Sequence, residues 1–243
     1  MTPEVLFLIA ARGGSKGLPR KNLKTVAGLS LIGFKANSAL KSRFCARLIV
    51  STDDAEIREE ACRHGAEAPF IRPTELATDD ASSDSVVAHA MRHVEDEEGR
   101  RYDAVMLLEP PSPFARGRDY DAAVDLFVRQ KASLVVGMRP AEVNSVFQGP
   151  LGEHGEAGAI IEKFTGLDDT RRQVLPAEYT MNGAFYLIDW DGFRRTGAIY
   201  GDPAGTYGYV MDRYHSVEIE SAYDLAQASF IVERGFVDMK EWQ

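Results

Sequence analysis

The chain has 243 residues, with 28 Lys+Arg against 37 Asp+Glu and a formal net charge of −9. Its 44% apolar and 27% charged content excludes disordered, collagen-like and fibrous chains, and at roughly 100–200 residues per domain the length fits one large domain or one with a modest appendage. The acidic balance argues against general nucleic-acid binding, and Cys45 and Cys62, the only cysteines, form neither a disulfide framework nor a zinc knuckle and suit a reducing cytosol.

Val5–Ala10 is a short, continuous apolar run that ends in glycines, as expected of a strand buried on both faces. The early apolar stretch is too short to span a bilayer and lacks signal-peptide flanks. The expectation is a soluble, cytoplasmic protein with no membrane partner. Further strand candidates are Arg47–Thr52, Ala104–Leu108 and Ser133–Gly137. Helix-period segments lie between them, at Leu31–Lys41, Ala55–Arg63, Ser83–Val94 and Tyr120–Arg129. Such alternation implies βαβ crossovers and an α/β fold with a mostly parallel sheet. Residues 140–180 are polar and glycine-bearing, with one weak strand candidate near Ala159–Phe164. They are read as an excursion from a single domain spanning 1–243, for a lid or an oligomer contact. Patterning resumes at Gly183–Ile188 and Tyr207–Val210, and a closing helix over Ala222–Arg234 meets Gly235 where a C-terminal cap belongs.

The strongest local signal follows the first strand: Ala11-Arg12-Gly13-Gly14-Ser15-Lys16-Gly17-Leu18-Pro19-Arg20-Lys21-Asn22. Ligands of open α/β sheets bind beyond the carboxyl ends of the strands. Closely spaced glycines let successive backbone N–H groups converge on an anion. Residues 1–24 hold five cations and one acid, which suits a polyphosphate. The loop is neither a Walker A motif nor G-x-G-x-x-G. It matches G-x-S-x-G formally, but only one strand precedes Ser15, whereas a nucleophile elbow needs central strands on both sides.

Asp54 suits the cap of the helix opening at Ala55, while Asp53 suits either a cap or a ligand. Arg72, before Pro73, sits in extended chain and could reach a phosphate or a base. Ser82 and Ser83 look like helix-start residues. Glu109 opens a run with three prolines in four positions. That rigid turn either holds a carboxylate toward a ligand or leaves it solvated. Glu218 and Glu220, at i and i+2, would share one side of a strand. They form either a solvated face or a seat for Mg²⁺, which takes one or two carboxylates plus substrate phosphates. His89 and His93 have helical i, i+4 spacing but no evident third ligand.

Together these segments resemble the acylneuraminate cytidylyltransferases over nearly the whole chain. Ile9-Ala10-Ala11-Arg12-Gly13-Gly14-Ser15-Lys16-Gly17 with Lys21-Asn22-Leu23 is similar to the family's nucleotide-binding signature. Ile49–Asp54, Arg72-Pro73, Ala81-Ser82-Ser83, Asn182-Gly183-Ala184-Phe185-Tyr186 and Ser216–Glu220 with Asp224-Leu225 follow in family order. The resemblance implies a Rossmann-like sheet of the nucleotide-sugar transferase type and homodimers built through residues 140–180. It implies CTP, Mg²⁺ and a nine-carbon α-keto acid sugar as reactants, with the CMP-sugar and pyrophosphate as products. Alternatives are another ulosonic acid, such as legionaminate or pseudaminate, or a nucleotide-binding homologue without catalysis.

The resemblance also implies roles for residues. Arg12 and Lys21 would be catalytic. Ala11, Arg12, Gly13, Gly14, Ser15, Lys21, Asn22, Arg72 and Ser82 would bind the nucleotide. Glu109, Arg172, Asn182 and Tyr186 would bind the sugar, and Glu218 and Glu220 the metal. Three departures stand out. Glu109 replaces the family's usual glutamine, which implies a hydrogen bond to a sugar hydroxyl or a pair with an amino group. Glutamates replace the usual aspartates at 218 and 220. Thr180 stands where some members carry arginine, so Arg171 or Arg172 would hold the sugar carboxylate.

Overall fold

The computed structural model describes residues 2–14, 17–167, 169, 171 and 174–243. β1 (Val5–Ala10) is buried along nearly its whole length. It pairs in parallel with β4 (Cys45–Ser51) on one side and β5 (Ala104–Leu108) on the other. The sheet order is β4-β1-β5-β7-β6-β8, where β6 is Leu134–Pro140, β7 Tyr179–Asp189 and β8 Thr206–Val210. β7 runs antiparallel to both its neighbours, β5 and β6, and β6 and β8 are parallel. The expected mostly parallel sheet is therefore present, with one reversed strand inside it. A small hairpin, β2 (Thr25–Val26) and β3 (Leu29–Ser30), stands apart.

Strand periodicity divides the core between two faces. Val5, Phe7 and Ile9 pack on one side, with Met106, Tyr120 and Phe185. Leu6 and Leu8 pack on the other, with Val105, Leu107 and Trp190. The first face is covered by α1 (Leu31–Leu40), α2 (Ala55–Arg63) and α4 (Gly117–Gln130). The second is covered by α3 (Ser83–Arg92) and α6 (Trp190–Thr196). The caps follow sequence chemistry: Ser30, Asp54 and Ser82 each accept a backbone N–H at a helix start.

Two expectations require correction. Gly158–Thr165 is a helix, α5, where a strand candidate was read. Ile160 and Phe164 are spaced i, i+4, and Phe164 packs edge-on against Phe147 at 5.0 Å, so the helical period prevails. Residues 217–220 join no strand. Their backbone meets the turn after β5 through Ile219 N–H, which donates to the Pro111 carbonyl at 2.8 Å. The anticipated alternation survives without a ladder, with Val217 and Ile219 buried and Glu220 exposed. His89 and His93 both pack against the Phe70 ring, at 4.7 and 4.9 Å. No group of three or more metal-ligating side chains forms among the described residues.

No described helix is long and apolar enough to cross a membrane. Residues 140–180 leave β6 and return as β7. The Ala141 N–H to Glu178 carbonyl bond, 2.8 Å, closes the neck of this connection.

A third cluster lies at the end of the molecule beside the glycine-rich loop, and includes Leu18, Phe34, Phe114, Ile219 and Trp242. Trp242 is 1% exposed and packs on Phe34 and Phe114 at 5.3 and 5.9 Å. Its carbonyl accepts Asn37 Nδ2 at 2.6 Å. Trp242→Ala is expected to destabilise by about 3–5 kcal/mol, the usual range for a buried aromatic. Denaturant unfolding that shows less than about 1 kcal/mol would remove this anchor from the account.

Candidate active site

The loop after β1 emerges at the carboxyl edge of the parallel strands. Ala11 N–H continues the sheet by bonding the Ser51 carbonyl at 3.1 Å. Gly13 N–H then bonds Asp53 Oδ1 at 3.1 Å. A Cβ on Gly13 would lie 2.7 Å from Asp54 Oδ2, and one on Gly17 would lie 2.7 Å from the Glu220 carbonyl oxygen. The second approach is backbone to backbone, so only glycine fits there. Gly14 has open space around it. Asn22 is buried and its Nδ2 donates to the Arg12 carbonyl at 3.0 Å, which ties the two ends of the loop together.

The loop and the 217–220 segment enclose a cleft of about 320 Å³ lined by Arg12, Lys21, Asn22, Glu109, Glu218 and Glu220, among others. Lys21 Nζ meets Glu220 Oε1 at 2.6 Å, and Arg12 Nη2 meets Asp79 Oδ1 at 2.7 Å. Glu218 and Glu220 also border a second cleft of about 640 Å³ that contains Arg139, Arg213, Tyr214 and Tyr223.

Glu109 sits at the end of β5, and β7 delivers Asn182–Tyr186 beside it through the pair Leu108↔Phe185. Gly183 has φ +63°, and a Cβ there would lie 3.0 Å from Glu218 Oε1 and 3.4 Å from Glu109 Oε2. The left-handed backbone and the crowding carboxylates thus both require glycine at the centre of the site. Asn182 is buried and its Nδ2 donates to Ser216 Oγ at 3.1 Å, while its Oδ1 accepts Ala184 N–H at 3.1 Å. It braces the bulged end of β7. Tyr186 packs edge-on to Tyr200 at 6.2 Å, and burial, followed by the charge of Glu109, pushes its hydroxyl pKa up.

Electrostatics set this edge apart. Burial and then Glu218 raise the Glu109 carboxyl to about 7, with Lys35 opposing. Burial and then Glu220 raise Glu218, with Arg139 opposing. Lys35 lies fully buried in α1 beneath the site, its Nζ donating to the Ala184 carbonyl at 2.7 Å. Burial brings its ammonium down to about 7, against the pull of Glu109 and Asp119. The carboxylate pair 218/220 fits Mg²⁺. Its donors are hard oxygens on one cleft wall, opposite the cationic loop, and the repulsion that raises Glu218 is what a cation relieves.

The structure thus brings together, around one cleft, Arg12, Lys21, Asn22, Glu109, Glu218 and Glu220, with Ala11, Gly13, Gly14, Asn182 and Tyr186 close to them along β1, its loop and β7. Arg72 is buried behind the loop, with Nε donating to Ser51 Oγ at 3.0 Å, and burial lowers its guanidinium to about 10. Ser82 caps α3 by accepting Ser85 N–H at 3.2 Å. Ser15 and Arg172 lie outside the described residues. Arg171 pairs with Asp169 at 2.6 Å. Sequence reasoning missed Lys35, Arg139 and Tyr200. A lone lysine inside the apolar stretch Leu31-Ile32-Gly33-Phe34-Lys35-Ala36 was the available signal for the first.

Glu109 gives a pH signature. Its folded pKa, about 7, exceeds the ordinary carboxylate value, so the fold favours the protonated form. The stability it contributes is present at low pH and lost as pH rises from about 4.5 to about 7. Relative to Glu109→Gln, the wild type should lose about 1–3 kcal/mol across that window. Parallel stability–pH curves for the two proteins would contradict the assignment.

The cytidylyltransferase family model matches residues 6–110. The chain is 33% identical over 226 residues to a pseudaminic acid cytidylyltransferase of Campylobacter jejuni serotype O:2, covering 93% of this chain and 95% of that protein. It is 29% identical over 236 residues to an N-acylneuraminate cytidylyltransferase of Escherichia coli O18:K1:H7, covering 96% of this chain and 53% of that protein. Among solved structures, a CMP:2-keto-3-deoxy-manno-octonic acid synthetase complexed with CTP superimposes with a TM-score of 0.68 at 14% identity, covering 96% of this chain and 99% of that one. That likeness is one of fold. With the glycine-and-cation loop, the facing carboxylates and a relative 33% identical over 93% of the chain, the chain belongs to the acylneuraminate cytidylyltransferase family.

Proposed function

We propose that the protein transfers CMP from CTP to the anomeric hydroxyl of a nine-carbon α-keto acid sugar, releasing pyrophosphate. The observation that carries this reading is the single cleft that sets Arg12 and Lys21 opposite Glu218 and Glu220. A polyphosphate needs the first pair and its counter-cation the second. The hydroxyl attacks the α-phosphorus in line as the bond to pyrophosphate breaks, so positioning and charge stabilisation do most of the work. The loop amides and Ser15 cradle the triphosphate. Arg12 and Lys21 offset charge at the α-phosphate and the leaving group. Asn22, Arg72 and Ser82 hold the cytidine side, the last two through the segments they brace. Glu218 and Glu220 would hold Mg²⁺, which when bound polarises phosphoryl oxygens.

Glu109, Asn182, Tyr186 and Arg172 form the sugar side in this reading, with Arg172 outside the described residues. Residues 140–180 supply the homodimer contact in this reading, supported by exposed Leu151 and Ile161 on the connection. A reducing cytoplasm suits its free Cys45 and Cys62. Related acids such as legionaminate and pseudaminate share the chemistry, and the sugar panel below separates them from sialic acid.

Mg²⁺-dependent pyrophosphate release from CTP over a panel of sugar acids tests the reading. Arg12→Ala and Lys21→Ala should each lower kcat/KM by roughly 10²–10³-fold with an unchanged melting temperature. Near-normal turnover in both would remove them from the mechanism. Release with no acid of the panel would leave a nucleotide-binding homologue without catalysis. In the same panel, Glu109→Gln should shift preference away from sugars that present an amino group or an extra hydroxyl there. An unchanged ranking would discard that role for Glu109.

A further inference from the structure

Glu109, Glu218 and Glu220 line one cleft, and the fold gives each a cation of its own. Lys21 Nζ meets Glu220 Oε1 at 2.6 Å. At Glu218, burial and then Glu220 favour the neutral form, and Arg139 is the foremost opposing charge. At Glu109, burial and then Glu218 do the same, and the foremost opposing charge is Lys35. Of these three cations only Lys35 is sealed from solvent, at 0% exposed.

Two observations tie Lys35 to Glu109 rather than to its other acidic neighbour, Asp119. The first is saturation. Asp119 Oδ2 accepts the Arg116 N–H at 2.8 Å and Arg116 Nε at 2.7 Å, and its Oδ1 accepts Arg116 Nη2 at 2.9 Å and the Tyr209 hydroxyl at 3.1 Å. Its charge and its acceptor sites are thus taken up by those partners. The second is register. Leu108 pairs with Phe185, and one step further along each strand come Glu109 and Ala184. The Ala184 carbonyl is the group that accepts Lys35 Nζ at 2.7 Å. A neutral donor would satisfy that carbonyl. Burying a full ammonium costs far more, and the cost is offset only where an opposite charge lies close.

We infer that Lys35 is a positioning residue that sets acceptor specificity: by neutralising Glu109 from beneath, it fits the cleft to a sugar that presents a neutral hydrogen-bond donor to Glu109, and disfavours one that presents an ammonium there. This rests on the reading that the acceptor is a sugar acid. Of the two roles open to Glu109, a bond to a hydroxyl and a pair with an amino group, Lys35 leaves the first. A carboxylate accepts from a hydroxyl or an amide N–H whether or not its charge is balanced elsewhere. A substrate ammonium would set two cations on one carboxylate and repel Lys35.

Sugar binding and turnover separate the two readings. N-acetylneuraminate and analogues in which one hydroxyl, at C4, C7, C8 or C9, is replaced by an amino group are titrated calorimetrically into the whole chain at pH 7, with CDP present. At the position that meets Glu109, the wild type should bind the parent more tightly than the amino analogue. Lys35→Gln, which keeps a donor for the Ala184 carbonyl, should move that one ratio toward the amino analogue by roughly tenfold or more, with the other ratios and the CDP affinity unchanged. Lys35→Gln added to Glu109→Gln should move no ratio. A lysine that merely braced β7 would weaken every sugar alike, and equally with or without Glu109. If Lys35→Gln fails to fold, Glu109→Gln alone serves, because the ammonium then meets Lys35 with no carboxylate between them and the preference for the parent should widen at one position. Ratios that Lys35→Gln leaves unchanged, a shift that persists without Glu109, a preference that Glu109→Gln fails to widen, or a wild type that binds none of the sugars overturns the inference. Pyrophosphate release with unchanged ratios overturns Lys35 alone. A shifted ratio without release overturns the transferase reading alone.

Discussion

The site depends on how closely the loop after β1 approaches the chain at Glu220. At Gly17 the separation leaves no room for a Cβ above the Glu220 carbonyl, and the Lys21–Glu220 pair spans the same gap at 2.6 Å. Energetically the ion pair is modest. Glu220 is 61% exposed at its side chain, and pairs of that kind contribute roughly 0–1 kcal/mol. Its importance is geometric. Packing of Leu18, Phe114, Ile219 and Trp242 in one cluster holds the two segments in register. A cationic wall and an acidic wall therefore face each other at a fixed spacing, which small-molecule phosphate chemistry requires.

That arrangement concentrates like charge, and the fold offsets it from below. Glu109, Glu218 and Glu220 crowd one edge, and burial with mutual repulsion pushes Glu109 and Glu218 up. A surface enzyme would leave such groups to water. Here α1 brings a buried lysine beneath them, anchored to the β7 backbone next to the left-handed Gly183. An ammonium there stabilises the ionised carboxylate above it and is itself destabilised by the loss of solvent, so the two groups settle near the same pKa, about 7. Replacing one member alone would remove the opposing charge and drive the other further toward its neutral form.

The layered fold was legible because buried parallel strands leave an unambiguous mark. Val5–Ala10 and Ala104–Leu108 are apolar at every position and coincide with β1 and β5. Helix starts were legible through their caps, as at Asp54 and Ser82. The reversed direction of β7 was not, since an apolar strand buried on both faces looks alike in either orientation. The helix at Gly158–Thr165 was misjudged because a short run with adjacent isoleucines satisfies both periods. In the site, the loop and the carboxylates could be named from residue type and order. Lys35 and Arg139 could not, because their meaning comes from neighbours 149 and 77 residues away, Ala184 and Ser216.

The reversed strand explains why those distant neighbours matter. A parallel strand between β5 and β6 would present its carboxyl end to the cleft and its amino end to the opposite edge. β7 instead enters at the cleft, so residues at its beginning, Thr180 to Gly183, stand beside residues at the ends of β5 and β6, Glu109 and Arg139. The edge thereby gains side chains from three strand termini where an all-parallel order would supply them from strand ends and loops alone. Thr180, at the start of β7, lies directly across from Arg139, near the end of β6, and the register shift between Val136 and Met138, with the left-handed Gly183 inside it, separates this pair from the Val136–Tyr186 pair and lets the segment Asn182–Phe185 reach the cleft.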